Sequence, residues 1–197
     1  MTGVDIEKFY NKLFGAVEDR STKLDLSGIN LDADISVNID LIEQIKNSIP
    51  DLTELNLSNT QLTELPKEIR KFEHLSVLNL SNNKLEKLPT ALSKLRSLET
   101  LDIRSNNIKD INPLVIFPIR KNLNSFLVAD NLLNPDLVET IRTEVFPNRN
   151  VLDSGEQRAQ EQNLGAMAAP LNARNQPTQR AAPTTGSGIG KPQNPRM

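Results

Sequence analysis

The chain has 197 residues, room for one domain with material to spare, and 23 basic against 25 acidic residues leave a formal net charge of −2. So small a charge gives no global field for nucleic acid or an anionic membrane. With no cysteine and one histidine, His74, the sequence offers neither a Cys/His zinc set nor a cysteine nucleophile.

Residues 5–18 place Ile6, Phe9, Tyr10, Leu13, Phe14 and Val17 on one continuous apolar face of a helix. Its polar side mixes Asp5, Glu7, Glu18 and Asp19 with Lys8 and Lys12, unlike the Lys/Arg-rich face of a membrane-surface helix. Leu24, Leu26 and Leu31 then mark a short, loose strand-like unit. Leu41, Ile42, Ile45 and Ile49 predict a helix over about 40–48, ended by Pro50. From Leu52 a regular pattern sets in: Leu52, Leu55, Leu57, Leu62, Leu65, Pro66, Ile69 and Phe72, with Thr60 where the next copy has Asn. That next copy is complete. Leu75, Leu78, Leu80, Asn83 and Leu85 stand at L-x-x-L-x-L-x-x-N-x-L, followed by Leu88, Pro89, Leu92 and Leu95, and Leu98 opens another copy 23 residues on. The third keeps Leu101, Ile103, Asn106, Ile108 and Ile111 before Pro113 and Phe117-Pro118 break it. The last strand is Leu123, Phe126, Val128, Asn131 and Leu133.

This period and spacing resemble the leucine-rich repeat. The resemblance implies an α/β solenoid: a right-handed β/α superhelix with about five strands in one short, curved parallel sheet. The leucines would point inward, and Asn83, Asn106 and Asn131 would satisfy backbone groups after each strand. Pro66 and Pro89 would open the convex segments with their fixed φ. Helices over 5–18 and 135–146 would cap the exposed ends of the core.

Asn134-Pro135-Asp136 reads as a helix start, with Asn as N-cap and Pro at N1. The order Asn134-Pro135, Arg142, Val145-Phe146-Pro147, Val151-Leu152-Asp153 resembles the C-terminal capping motif of intracellular leucine-rich-repeat proteins, spliceosomal and phosphatase-regulatory members included. The expected organisation is therefore a capping helix at 1–20, a repeat domain with its C-terminal cap at 21–152, and a disordered tail at 153–197. The tail is rich in Pro, Gln, Asn and Ala and has no acid after Glu161, too little apolar surface to offset ordering. Residues 1–152 hold 18 basic and 22 acidic side chains, whereas 153–197 hold five and three.

Other chemistry fails on inspection. Gly186-Ser187-Gly188-Ile189-Gly190-Lys191 lacks the first glycine of a phosphate loop and puts Pro192 where Ser or Thr belongs. Glu99 and Asp102 read as a solvated pair. Lys67, Arg70, Lys71, Lys84, Lys87, Lys94 and Arg96 alternate with Glu64, Glu68, Glu73 and Glu86, again a solvated face. No catalytic residue, cofactor or metal is expected, and the chain is read as no enzyme. The secreted bacterial relatives that carry a cysteine-dependent ubiquitin ligase would need a cysteine this chain lacks. MTGVDIEKFYNK has no basic segment followed by an apolar run, and no apolar stretch approaches the ~20 residues of a membrane span. Without cysteine for the disulfide caps of extracellular relatives, the expected compartment is the cytoplasm, with delivery into another cell by a non-classical route left open.

What remains is the surface the strands display. The third template position runs Lys23, Glu54, Val77, Thr100, Ser125; the fifth Asp25, Asn56, Asn79, Asp102, Leu127. The seventh is Ser27, Ser58, Ser81, Arg104, Ala129 and the eighth Gly28, Asn59, Asn82, Ser105, Asp130. The expected function is binding of a protein partner on this concave face, as an adaptor, regulatory subunit or secreted effector, by a chain that is a monomer on its own. The expected contacts are Glu54, Asn56, Asn59, Val77, Asn79, Asn82, Thr100, Asp102, Arg104, Ser105, Ser125 and Leu127, with Arg104 and Leu127 contributing most. Nucleic acid is not an expected partner. The alternative is a structural subunit of a ribonucleoprotein or phosphatase-regulatory complex.

Overall fold

In the computed structural model, which describes residues 5–31, 35–146 and 152–153, every copy of the leucine pattern contributes one three-residue strand. β1 (Lys23–Asp25), β2 (Glu54–Asn56), β3 (Val77–Asn79), β4 (Thr100–Asp102) and β5 (Ser125–Leu127) lie side by side in sequence order, all parallel. A sixth strand, β6 (Leu152–Asp153), pairs with β5, so the sheet exceeds the expected five strands and reaches Asp153, one residue past the boundary read from sequence. The stretch 154–197, read as a disordered tail, lies outside the described residues.

The register is unbroken: Leu24, Leu55, Leu78, Leu101 and Phe126 are successive partners at the strand centres. Period two sends these side chains into the core and their neighbours outward. Leu75, Leu78, Leu80, Leu85, Leu92, Leu95 and Leu98 of the complete copy are all fully buried, with Leu88 only slightly less so. Parallel strands need a crossover, and here it is short. Lys67–Lys71 and Thr90–Lys94 are single 3-10 segments, each entered through an extended proline, Pro66 (φ −61°, ψ 145°) and Pro89 (φ −69°, ψ 142°). The long first repeat instead carries α2 (Ile35–Ser48), which starts earlier than the predicted 40–48. In the third repeat Asn112 caps α3 (Pro113–Ile116), its Oδ1 accepting from Leu114 N at 3.0 Å.

The N-terminal helix α1 (Ile6–Glu18) covers the first repeat, but with half of its apolar stripe. Phe9 and Leu13 are buried, whereas Ile6, Phe14 and Val17 are 43%, 56% and 40% exposed. Two buried positions a turn apart suffice to seat the helix, and Phe14 stacks on Tyr10 outside the core, with ring centroids 5.7 Å apart. Asp5 ties the helix down: its N–H donates to Asn30 O at 3.1 Å, and its Oδ2 accepts from Asn30 N at 3.3 Å. At the other end Asn134 caps α4 (Pro135–Thr140), which loosens into a π turn over Ile141–Val145 instead of running as one helix to 146. Phe146 then packs 6.2 Å from Phe126.

Candidate protein-interaction surface

Three sets of polar side chains follow each strand, and their partners separate structural work from display. Asn83, Asn106 and Asn131 form an internal ladder. Asn83 Oδ1 accepts from the N–H groups of Thr60 and Leu62, both at 3.0 Å, and its Nδ2 donates to Leu57 O at 2.7 Å and Leu80 O at 3.0 Å. Asn106 and Asn131 repeat the arrangement one and two turns on, donating back to Leu80 O and Ile103 O. Each amide therefore staples its own turn to the preceding repeat. Thr60 substitutes in part: its Oγ1 lies 2.8 Å from Leu57 O and 2.9 Å from Asn83 Oδ1.

The fifth-position residues are occupied as well. Asp25 Oδ1 accepts from Ser27 N (2.9 Å), Asn56 Oδ1 from Ser58 N (3.0 Å), Asn79 Oδ1 from Ser81 N (2.9 Å) and Asp102 Oδ1 from Arg104 N (3.0 Å). These are Asx turns, in which a short polar side chain binds the backbone two residues on. Leu127 ends the series, since it has no acceptor to offer. Asp25 is held below the usual carboxylate range: partial burial opposes ionisation, but the Ser27 backbone and hydroxyl donors, helped by Lys12, outweigh it.

Asp102 corrects the expectation of a solvated Glu99–Asp102 pair. Its carboxylate is buried beneath Arg104, whose Nε lies 3.0 Å from Oδ1 and whose Nη2 lies 2.7 Å from Oδ2. Glu99 stays exposed. The eighth position is a turn: Gly28, Asn59, Asn82, Ser105 and Asp130 all adopt left-handed backbone, with φ of 72°, 56°, 56°, 53° and 58°. That conformation favours Gly and Asn, which explains the column's composition. The seventh column is only partly displayed, because Ser81 and Ala129 are buried.

The third position is left as the cleanest row of display. Glu54, Val77, Thr100 and Ser125 are half-buried neighbours in register across β2–β5, and Lys23 pairs with Glu54 at 2.7 Å. Lys23, Asp25, Glu54, Asn56, Val77 and Asn79 line a shallow groove of about 340 Å3 on the sheet face. The fold thus brings Glu54, Asn56, Val77, Asn79, Thr100, Asp102, Arg104, Ser125 and Leu127 onto the strands or just beyond them. It places Asn59, Asn82 and Ser105 at the turn beside them. Sequence reasoning missed Lys23 and Asp25 as groove residues, although both stand in the displayed columns.

Among the described residues no cluster of three or more His, Asp or Glu is placed to hold a metal ion, and no helix is long and apolar enough to cross a membrane. His74 sits exposed at the corner before β3.

This architecture, one strand and one convex helical segment per leucine-patterned turn, defines a leucine-rich-repeat solenoid. Residues 50–113 match the family model described as leucine rich repeat. A leucine-rich-repeat protein of Leptospira interrogans superposes with a TM-score of 0.50 at 34% identity, covering 55% of this chain and 27% of that one. An internalin from Listeria monocytogenes gives a TM-score of 0.46 at 25% identity, over 56% of this chain and 31% of its own. This chain therefore spans less than a third of the length of either. No curated protein matches the sequence. Leucine-rich repeats thus occupy residues 50–113, about a third of the chain, within a leucine-rich-repeat solenoid.

Proposed function

We propose that the protein is a non-enzymatic interaction module that grips a protein partner on the concave face of its sheet. One observation carries this reading: the unbroken parallel register lays the third-position residues Lys23, Glu54, Val77, Thr100 and Ser125 in one continuous row, over a groove at its N-terminal end. A row of short side chains on a hydrogen-bonded sheet is a preorganised surface, which lowers the entropy lost on association. Leu127, free of turn duty, adds apolar area at the other end of the face, and Arg104 presents a guanidinium oriented by Asp102.

The Asx turns dictate how this is tested. Substituting Asn56, Asn79 or Asp102 would damage the turns as well as the surface, so binding variants belong in the third row. Val77→Arg, Thr100→Glu and Ser125→Arg together change the surface with alternating sign while no side-chain hydrogen bond within the fold is lost. Affinity purification with mass spectrometry from the intact chain and from this triple variant is the experiment. The partner recovered with the intact chain disappears with the variant, which keeps its melting temperature. Equal recovery with both would refute the concave-face reading, and co-purification of RNA or of phosphatase activity would favour a subunit role in such a complex.

A further inference from the structure

The convex-side charges alternate in sequence, but the fold gathers four of the seven cations, Arg70, Lys71, Lys94 and Arg96, around one groove with one of the four acids, Glu73. The 3-10 segments Lys67–Lys71 and Thr90–Lys94 stack on one another, and beside their ends lies an open groove of about 570 Å3 lined by Arg70, Lys71, Glu73, Lys94 and Arg96. Of the acids that interleave with these cations in sequence, Glu64 and Glu86 lie outside the lining, and Glu68 is turned into the protein and buried. Lys71 is paired with Glu43 of α2. Arg70, Lys94 and Arg96 enter no ion pair among the described residues, and Glu73 is the groove's one acid.

We propose that this groove docks an acidic peptide segment of another protein, through a surface separate from the concave face. Three unpaired cations gathered around a single acid repel one another, and an anionic ligand relieves that repulsion while gaining electrostatic attraction. Two of the unpaired cations are guanidinium forks, whose planar donors match carboxylates two bonds at a time. The backbone beneath them is fixed: Ser97 Oγ donates to Glu73 O at 2.8 Å, and Asn122 Nδ2 donates to Arg96 O. The lining has no aromatic ring on which a base would stack. It has no apolar side chain to enter a bilayer surface either. A peptide with several carboxylates suits the groove best.

The test is fluorescence anisotropy on the full chain with a labelled Glu/Gly decapeptide, its Gln/Gly counterpart, a thymidine oligonucleotide and phosphatidylserine vesicles. The Glu/Gly peptide binds and the Gln/Gly peptide does not, and raising the salt to ~0.5 M weakens binding about tenfold or more. Arg70→Ser, Lys94→Ser and Arg96→Ser together weaken it by about tenfold or more with an unchanged melting temperature. The mixed-charge concave-face variant Val77→Arg/Thr100→Glu/Ser125→Arg leaves it intact. A second variant, Arg70→Glu/Arg96→Glu, acquires binding to a Lys/Gly peptide. Undiminished binding by the serine variant, tighter binding of the oligonucleotide or vesicles, or no binding of the acidic peptide overturns the proposal and leaves the concave-face reading untouched.

Discussion

Replacing Asn83 by alanine separates the internal ladder from ordinary surface polarity. Asn83 is buried, and its Oδ1 is the acceptor for Thr60 N and Leu62 N. The carbonyls it serves keep other partners: Leu57 O retains the Thr60 hydroxyl, Leu80 O retains Asn106 Nδ2 and Ser81 O retains Asn59 N. The loss therefore falls on two backbone donors in a buried turn. At ~1–3 kcal/mol for each unsatisfied buried group, Asn83→Ala costs about 2–6 kcal/mol. That is a large share of the ~5–15 kcal/mol that stabilises a typical domain. Asn131 is more exposed and its Oδ1 serves one donor, Ile108 N, so Asn131→Ala costs about 1–3 kcal/mol. Urea unfolding followed by circular dichroism gives both values. Equal costs, or a loss below ~1 kcal/mol for Asn83→Ala, would refute the ladder reasoning.

Other substitutions probe other parts of the fold. Ser105 occupies left-handed backbone at φ 53° without the preference of Asn; Ser105→Asn gains about 0.5–1 kcal/mol, read as a higher urea midpoint at unchanged slope. On α1, Phe9→Ala costs about 3–5 kcal/mol, whereas Phe14→Ala, which loses an exposed stack, costs under about 1.5 kcal/mol, by the same unfolding assay. Asp5 is held below its ordinary value by the hydrogen bond from Lys8, then by that from the Asn30 backbone and by the Lys8 charge, against a desolvation that raises it. A carboxylate lowered in the folded state stabilises above its unfolded pKa of ~3.9, and that contribution fades as pH falls through the folded value. The melting temperature of Asp5→Asn therefore lies below that of the native chain at pH 7 and converges on it toward pH 2.

The scaffold was legible because its signal is periodic. The leucine spacing identifies which side chains point inward, and the register then aligns the third and fifth columns as read. The asparagines of the ladder were also legible, since a polar residue recurring inside an apolar frame has to serve the backbone. The division of labour among outward polar residues was not. Nothing in the letters separates Asn79, whose oxygen closes a turn, from Thr100, whose side chain makes no such bond, because both stand at displayed positions. The same holds for the eighth column, where Asn59, Asn82 and Ser105 read as contacts and are left-handed turn residues. Charge was only partly legible for a related reason: alternation along the sequence at 64–96 becomes a local excess of cations once 3-10 segments, with three residues per turn, bury Glu68 and leave Arg70, Lys71, Lys94 and Arg96 around one groove with Glu73.

The concave face is tested most directly by photo-crosslinking. A benzoylphenylalanine placed at Val77 or Ser125 on the sheet, or at Lys87 away from it, reports which surface touches the partner. Recognition on the sheet gives adducts from positions 77 and 125 and none from 87. Adducts from 87 alone would contradict it.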